Sequence, residues 1–212
     1  MLNKMTARPT KAPGTARVGT RRSPDERRRQ LVGIGLRRLA EQPIHELSLD
    51  AVAAEAGISR SLLFHYFATK SDYYDAVRAA AVARALRNTA PDPGVGPAVA
   101  LEQIVARMLA YVARRHDVYV ALVYGAGAVP LGGEGVQRLR TSFAARVVSV
   151  LGLPARAEPV VHAWTAYLED RALQRASAPV EQRPALDAEV RHAVAALTAL
   201  LALEQLSPGS AS

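Results

Sequence analysis

Residues 48–70 read SLDAVAAEAGISRSLLFHYFATK. Ser48 precedes an apolar run as a helix N-cap does, and Leu49, Val52, Ala53 and Ala56 then share one face of a short helix running through Glu55. Gly57 stops that helix at the position that favours a left-handed backbone, and Ser59 caps the next one. The spacing predicts a helix, a glycine turn and a second helix. Ala53, Ala54 and Ala56 are small enough for two helices to cross closely, Ile58 plugs the gap beneath the turn, and Leu63 faces inward. Left outward on the second helix are Ser59, Arg60, Ser61, Leu62, His65 and Tyr66. Short hydroxyls, a guanidinium, an imidazole and a phenol can reach phosphates and base edges in a major groove. Phe67 is expected in the core beside Leu63, as is at least one of Tyr73 and Tyr74.

The flanking sequence organises itself around this stretch. Residues 1–22 carry six basic residues and no acid among Pro, Gly and Thr, so they are expected to form a disordered basic arm. Ser23, Pro24 and Glu26 make a capping-box signature that opens a helix expected to reach about Glu41, before Pro43. Gly33 and Gly35 inside it each cost about 1 kcal/mol relative to Ala, which hints at a close-packed neighbour. A further helix is expected from about Ser71-Asp72 to Asn88, and PDPGVGP (91–97) then breaks the chain. Beyond it, helical stretches are expected near 98–115, 117–128, 134–151, 158–177 and 184–206. No sustained period-2 alternation occurs, so the fold class is all-α.

At this point the sequence resembles a known family. LSLDAVAAEAGISRSLLFHYFATKSDYYDAV (47–77) is similar to the DNA-binding region of the TetR (tetracycline repressor) family of bacterial transcriptional regulators. Ser48 takes the hydroxyl position that opens the first helix of the motif. Val52-Ala53 and Ala56-Gly57-Ile58-Ser59 match its middle, and Leu63 to Phe67 with Lys70 match its end. The resemblance, over roughly residues 24–75, implies that Ser48 and Lys70 grip phosphate while Arg60, Ser61, His65 and Tyr66 work on the recognition helix. Two positions depart from the family pattern. Phe64 stands where a tyrosine hydroxyl usually binds phosphate, and Leu62 fills a slot that is usually small or polar.

Charge points the same way. Residues 1–88 carry 16 Lys/Arg against 8 Asp/Glu, whereas residues 89–212 carry 11 of each. An excess of that kind suits a polyanion, most commonly nucleic acid. The chain has no cysteine, which excludes a disulfide framework and thiolate metal sites. No apolar run reaches the roughly 18 residues of a membrane span, and no signal-peptide core follows the basic N-terminus. The expectation is a cytoplasmic, nucleoid-associated protein that uses no cofactor. Enzyme readings find no GxSxG, HExxH or GxGxxG, and the GAGAVPLGG stretch (125–133) lacks a GK[ST] ending.

The second half resembles the family only in general layout. That layout implies a division into residues 1–22 as arm, 23–88 as DNA-binding unit with a connecting helix, and 89–212 as effector-binding and dimerisation unit. Met108, Tyr111, Tyr119, Tyr124, Phe143 and Trp164 are candidate pocket residues, with Leu122, Val123 and Val147 beside them and His116 or His162 as a polar anchor. Trp164, Tyr167, Leu168, Arg171, Val194, Leu197 and Leu201 are candidates for a face that pairs with a second subunit. The expected function is a DNA-binding regulator: a homodimer on a near-palindromic double-stranded operator, relieved by a small apolar or amphipathic effector. The alternative is an effector-independent, nucleoid-type architectural protein.

Overall fold

The structure, a computed structural model, describes residues 22–39, 41–42, 46–116, 119 and 134–206, without the side chains of 134–136 and 205–206. Pro43, the helix expected over 117–128, Tyr124 and its neighbours, the GAGAVPLGG stretch and all of the basic arm except Arg22 lie outside the described residues. Eight α-helices occur among those described, and no strand. They are α1 (Pro24–Arg38), α2 (Leu49–Ala56), α3 (Arg60–Tyr66), α4 (Lys70–Asn88), α5 (Pro97–Arg114), α6 (Glu134–Leu151), α7 (Glu158–Ser177) and α8 (Leu186–Leu206).

Local chemistry sets most boundaries. Ser23 and Glu26 satisfy each other's backbone N–H groups in a complete capping box at the start of α1. That helix ends at Arg38, short of the expected Glu41, because the Arg38 carbonyl accepts from both Glu41 N–H (2.9 Å) and Gln42 N–H (3.0 Å) in a closing turn. Gly57 has φ of 68°, the left-handed cap expected for α2. Helix α4 begins at Lys70, slightly before the expected Ser71-Asp72. Thr69 is its N-cap, and the Thr69 and Asp72 side chains form a second capping box.

The helices enclose two hydrophobic clusters. The first joins α1, α2, α3 and the N-terminal half of α4 through Leu31, Ile34, Leu39, Val52, Leu63, Phe67, Tyr73, Tyr74 and Val77. The second joins α5 to α8 with the C-terminal half of α4, through Val82, Ala85, Ile104, Met108, Phe143, Trp164, Leu168 and Leu197 among others. Leu63 and Phe67 point inward as expected, and both Tyr73 and Tyr74 are buried. Their hydroxyls donate to the Leu31 and Leu47 carbonyls, each at 2.8 Å, so neither phenol is left unpaired. Burial pushes the Tyr73 hydroxyl well above its ordinary pKa, so it stays a donor throughout the physiological range.

The seam between α1 and α4 explains one of the two costly glycines. A Cβ at Gly35 would lie 2.5 Å from Val77 Cγ2 and 2.6 Å from the Tyr73 hydroxyl oxygen, so only glycine permits this approach. At Gly33 the nearest atom would be Arg37 Nη1 at 4.0 Å, so no close neighbour accounts for that residue.

At its other end α4 is tied to the second cluster by cations. The Arg146 guanidinium on α6 donates to the Leu86 carbonyl and lies 3.4 Å from the Thr89 hydroxyl, which itself donates to Ala85 O at 2.9 Å. Arg107 on α5 donates to the Ala90 carbonyl and pairs with Asp92 at 2.6 Å. The Arg146 guanidinium thus sits against a carbonyl of the last turn of α4, where a helix dipole favours positive charge, and Arg107 holds the chain just past its C-cap.

The two glycines give opposite expectations. Gly33→Ala should raise stability by roughly 0.5–1 kcal/mol, by removing backbone freedom from the unfolded chain. Gly35→Ala should lower it by about 1–3 kcal/mol, because the added methyl overpacks the seam. Urea denaturation of the two variants beside the wild type checks both signs.

Candidate nucleic-acid interface

Helices α2 and α3 and the start of α4 converge on a polar recess of about 310 Å³, lined by Glu46, Leu47, Ser48, Leu49, Asp50, Arg60, Phe64 and Lys70. Each position follows from the local fold. Ser48 is the N-cap of α2, and its oxygen accepts from Ala51 N–H at 3.3 Å, leaving the hydroxyl proton free to donate. Lys70 is the first residue of α4, and its ammonium rests over the Tyr74 ring, 5.2 Å from the centroid. Since Tyr74 is itself pinned to Leu47, this contact gives a flexible lysine a defined seat at a helix N-terminus. Phe64 is half-buried against the first cluster and forms part of the recess wall.

Arg60 is more constrained than the sequence suggested. Its Nη1 lies 2.5 Å from Asp50 Oδ2, with both side chains more than half exposed, and its guanidinium sits 5.5 Å from the Phe64 ring centroid. An exposed pair of this kind adds little stability. What it does is hold the guanidinium across the mouth of the recess, with Phe64 as a platform. Asp50 is the residue of this face that sequence reasoning missed. The cue was available only in three dimensions, because ten residues and a turn separate the two partners.

The other expected residues fall as follows. Ser59 caps α3 by accepting from Leu62 N–H at 3.2 Å, and its hydroxyl lies 2.9 Å from that of Ser61. Ser61, His65 and Leu62 are exposed, and Leu62 is one of the few large apolar side chains that are. Tyr66 was expected outward but is half-buried against the first cluster, its ring edge-on to His65 at 5.7 Å. Arg28 lies over the Phe67 ring at 4.5 Å, while Arg37 and Arg38 both bind Glu55 at 2.8 Å. The hydrogen bond from Arg37, joined by Arg38, holds the Glu55 carboxyl below its ordinary pKa. The basic excess of this half of the chain is therefore partly committed to the protein itself.

Small apolar and polar side chains on an exposed seven-residue helix, flanked by two helix N-termini and two cations, suit a duplex groove. Comparison with known proteins agrees. Residues 35–77 match the family model described as bacterial regulatory proteins, tetR family. The chain carries a TetR-family DNA-binding domain. A TetR-family transcriptional regulator from Streptomyces coelicolor is similar over 84% of this chain and 82% of its own, with 27% identity and a TM-score of 0.63. Two regulators from Rhodococcus sp. RHA1 share the fold at lower identity. One, described as TetR-like, is 21% identical with a TM-score of 0.55 over 86% of this chain and 99% of its own. The other, described as a TetR regulator, is 16% identical with a TM-score of 0.56 over 83% and 95%. No curated protein matches the chain.

Outside the TetR-family domain, the structure redistributes the residues expected at a pocket and at a subunit face. Met108, Tyr111, Tyr119, Phe143 and Trp164 are all buried in the second cluster, packed with Val147 in one core. Trp164, Leu168 and Leu197, expected at a subunit face, have at most 1% of their surface exposed within a single chain. The Trp164 indole N–H donates to the Ala193 carbonyl at 2.8 Å, which fixes α7 to α8. The apolar stripe of α7 is thus its inward face, a correction to the expectation that it meets a partner. Tyr167, Arg171, Val194 and Leu201 remain partly exposed. Sequence reasoning also missed a buried ion pair in this core, Arg140 Nε to Glu169 Oε2 at 2.5 Å. Among the described residues no group of three His, Cys, Asp or Glu could hold a metal, and no helix is long and apolar enough to cross a membrane.

Phe64→Tyr supplies the test of the recess geometry. A hydroxyl added beside Ser48 and Lys70 should tighten duplex binding by roughly 3–10-fold, as a charge-assisted hydrogen bond to phosphate would. Fluorescence anisotropy with labelled duplex at fixed salt measures it.

Proposed function

We propose that this DNA-binding regulator acts as a homodimeric, ligand-relieved repressor of a near-palindromic operator. The observation that carries the reading is the recess between α2, α3 and α4. Ser48 and Lys70, each at a helix N-terminus, flank the exposed face of α3 that carries Arg60, Ser61, Leu62 and His65. In this reading Ser48 and Lys70 grip phosphates on either side of a major groove. Ser61, Leu62, His65 and the edge of Tyr66 meet base edges, and Arg60 leaves Asp50 for phosphate or guanine. Residues 23–88 make up the DNA-binding unit, and residues 89–212 the effector and dimerisation unit.

Dimerisation is assigned to the outer faces of α7 and α8. Ala163, Tyr167, Arg171 and Gln174 line one, and His192, Ala195, Ala199 and Leu203 line the other, all at least partly exposed. Tyr167 and His192 join the two faces, with ring centroids 6.3 Å apart. A strip rich in alanine lets a second pair of helices approach closely enough to form a four-helix bundle. Two recognition helices related by a two-fold axis then read half-sites about one helical turn apart. An effector relieves repression only through a difference in its affinity for the two conformations.

Selection of bound sequences from a random duplex pool, followed by footprinting, should yield one site with two inverted halves. Uniform protection without a preferred site would instead support the architectural alternative. On the selected site, Lys70→Ala should weaken binding by about 10–100-fold per dimer. It should also flatten the slope of log K against log salt by about two, one lost phosphate contact per subunit. An unchanged slope would remove Lys70 from the interface.

A further inference from the structure

The recess between α2, α3 and α4 is not simply basic. Its lining carries two carboxylates, Glu46 and Asp50, against two cations, Arg60 and Lys70. A surface built only to attract a polyanion would leave its cations free, because affinity for phosphate grows with each one. Here Arg60 Nη1 is held 2.5 Å from Asp50 Oδ2, and both side chains are more than half exposed. Asp50 also stands in the first turn of α2, so the helix N-terminus that Ser48 opens already has an anion of its own. An acid in a first turn steadies a helix, but that role asks nothing of an arginine ten positions further on.

Toward phosphate the pair is a penalty. Arg60 exchanges one anion for another, and the vacated Asp50 carboxylate is left facing a polyanion. Toward a base edge the pair is a complement. It presents donors beside an acceptor, and the Phe64 ring, 5.5 Å from the guanidinium, limits where those donors swing. A G·C pair offers the reverse order in the major groove: guanine N7 and O6 accept, and the cytosine N4 amino group next to them donates. The guanidinium fork of Arg60 fits the two acceptors, and the Asp50 carboxylate fits the amino group. An A·T pair interrupts its acceptors with the adenine amino group, so the fork is left half-met.

We propose that Asp50 is a specificity-determining residue: with Arg60 it reads one G·C pair in each half-site, and its charge disfavours duplexes that lack that pair there. The assignment rests on the operator-binding reading above and gives the recess a base pair to select. Lys70 then supplies affinity for any duplex, whereas Asp50 withholds it from most.

The full chain is compared as wild type, Asp50→Asn and Asp50→Glu by fluorescence anisotropy, on the selected operator and on random-sequence duplex. Wild-type selection should return one fixed G·C position per half-site, and changing it to A·T or C·G in one half should weaken binding about fivefold or more. Asp50→Asn keeps the size and removes the charge. It should reduce that discrimination to about twofold or less and tighten random duplex about threefold or more. On random duplex it should also steepen the slope of log K against log salt by about one per bound subunit, as the released Arg60 neutralises a phosphate. Asp50→Glu restores a carboxylate and should keep random-duplex binding within about twofold of the wild type. A residue that merely steadies α2 would lower urea stability and weaken all duplexes alike, and an unchanged ratio between them overturns the proposal. So does a discrete operator whose G·C preference survives Asp50→Asn. Should the wild type select no discrete site, the repressor reading fails and the base-pair assignment with it. Random-duplex affinity and salt slope then decide the charge penalty by themselves, and values unmoved by Asp50→Asn overturn it.

Discussion

Helix α4 belongs to two hydrophobic cores at once, and the rest of the molecule is arranged around that fact. Tyr73, Tyr74 and Val77 are packed with α1, α2 and α3, whereas Val82 and Ala85 are packed with α5 to α8. The helix is continuous between the two sets. Its N-terminal half meets α1 at Gly35, where an added Cβ would press on Val77 and Tyr73, and the Tyr73 hydroxyl closes the seam on the Leu31 carbonyl. Its last turn is held by Arg146, and the chain just beyond it by Arg107, two arginines from different helices. A rod seated this firmly at both ends transmits displacement instead of absorbing it, because close-packed cores deform little.

The proposed DNA face inherits its geometry from this helix. Lys70 is the first residue of α4, and Tyr74, one turn on, both seats its ammonium and anchors the α2 approach through Leu47. Phe67, between α3 and α4, packs edge-to-face on Tyr73 with centroids 5.0 Å apart, so the recognition helix is located by the same residue that locks α1. Loss of the tyrosine hydroxyl at position 64 is matched by a different arrangement, in which Phe64 supports the Arg60 guanidinium and Asp50 holds it. That is where this chain's recess departs most visibly from the pattern it resembles.

Much of this was legible in the residues themselves. The helix, glycine turn and helix over 48–66 follow from caps, small residues and one left-handed glycine, all of them local effects. The inward roles of Leu63 and Phe67 follow from helical period. What could not be read were relations between distant elements. Periodicity marks the Val161, Trp164, Leu168, Ala172 stripe as apolar but does not say whether the chain's own core or a second copy covers it, and here its own core does. Asp50 beside Arg60, Glu169 beside Arg140 and Arg146 at the end of α4 are pairings across 10, 29 and 60 residues that no local rule encodes. The two glycines of α1 look alike in sequence, yet only one faces a neighbour.

The central claim, that α4 joins the two cores as one rigid rod, is tested most directly by a distance. Spin labels at Ala68, just before α4, and Thr198, on the outer face of α8, report the separation of the two cores. Dilution with unlabelled chain removes signals between subunits. The account predicts one narrow distance distribution by double electron–electron resonance. A broad distribution would show two cores moving independently, and would contradict it.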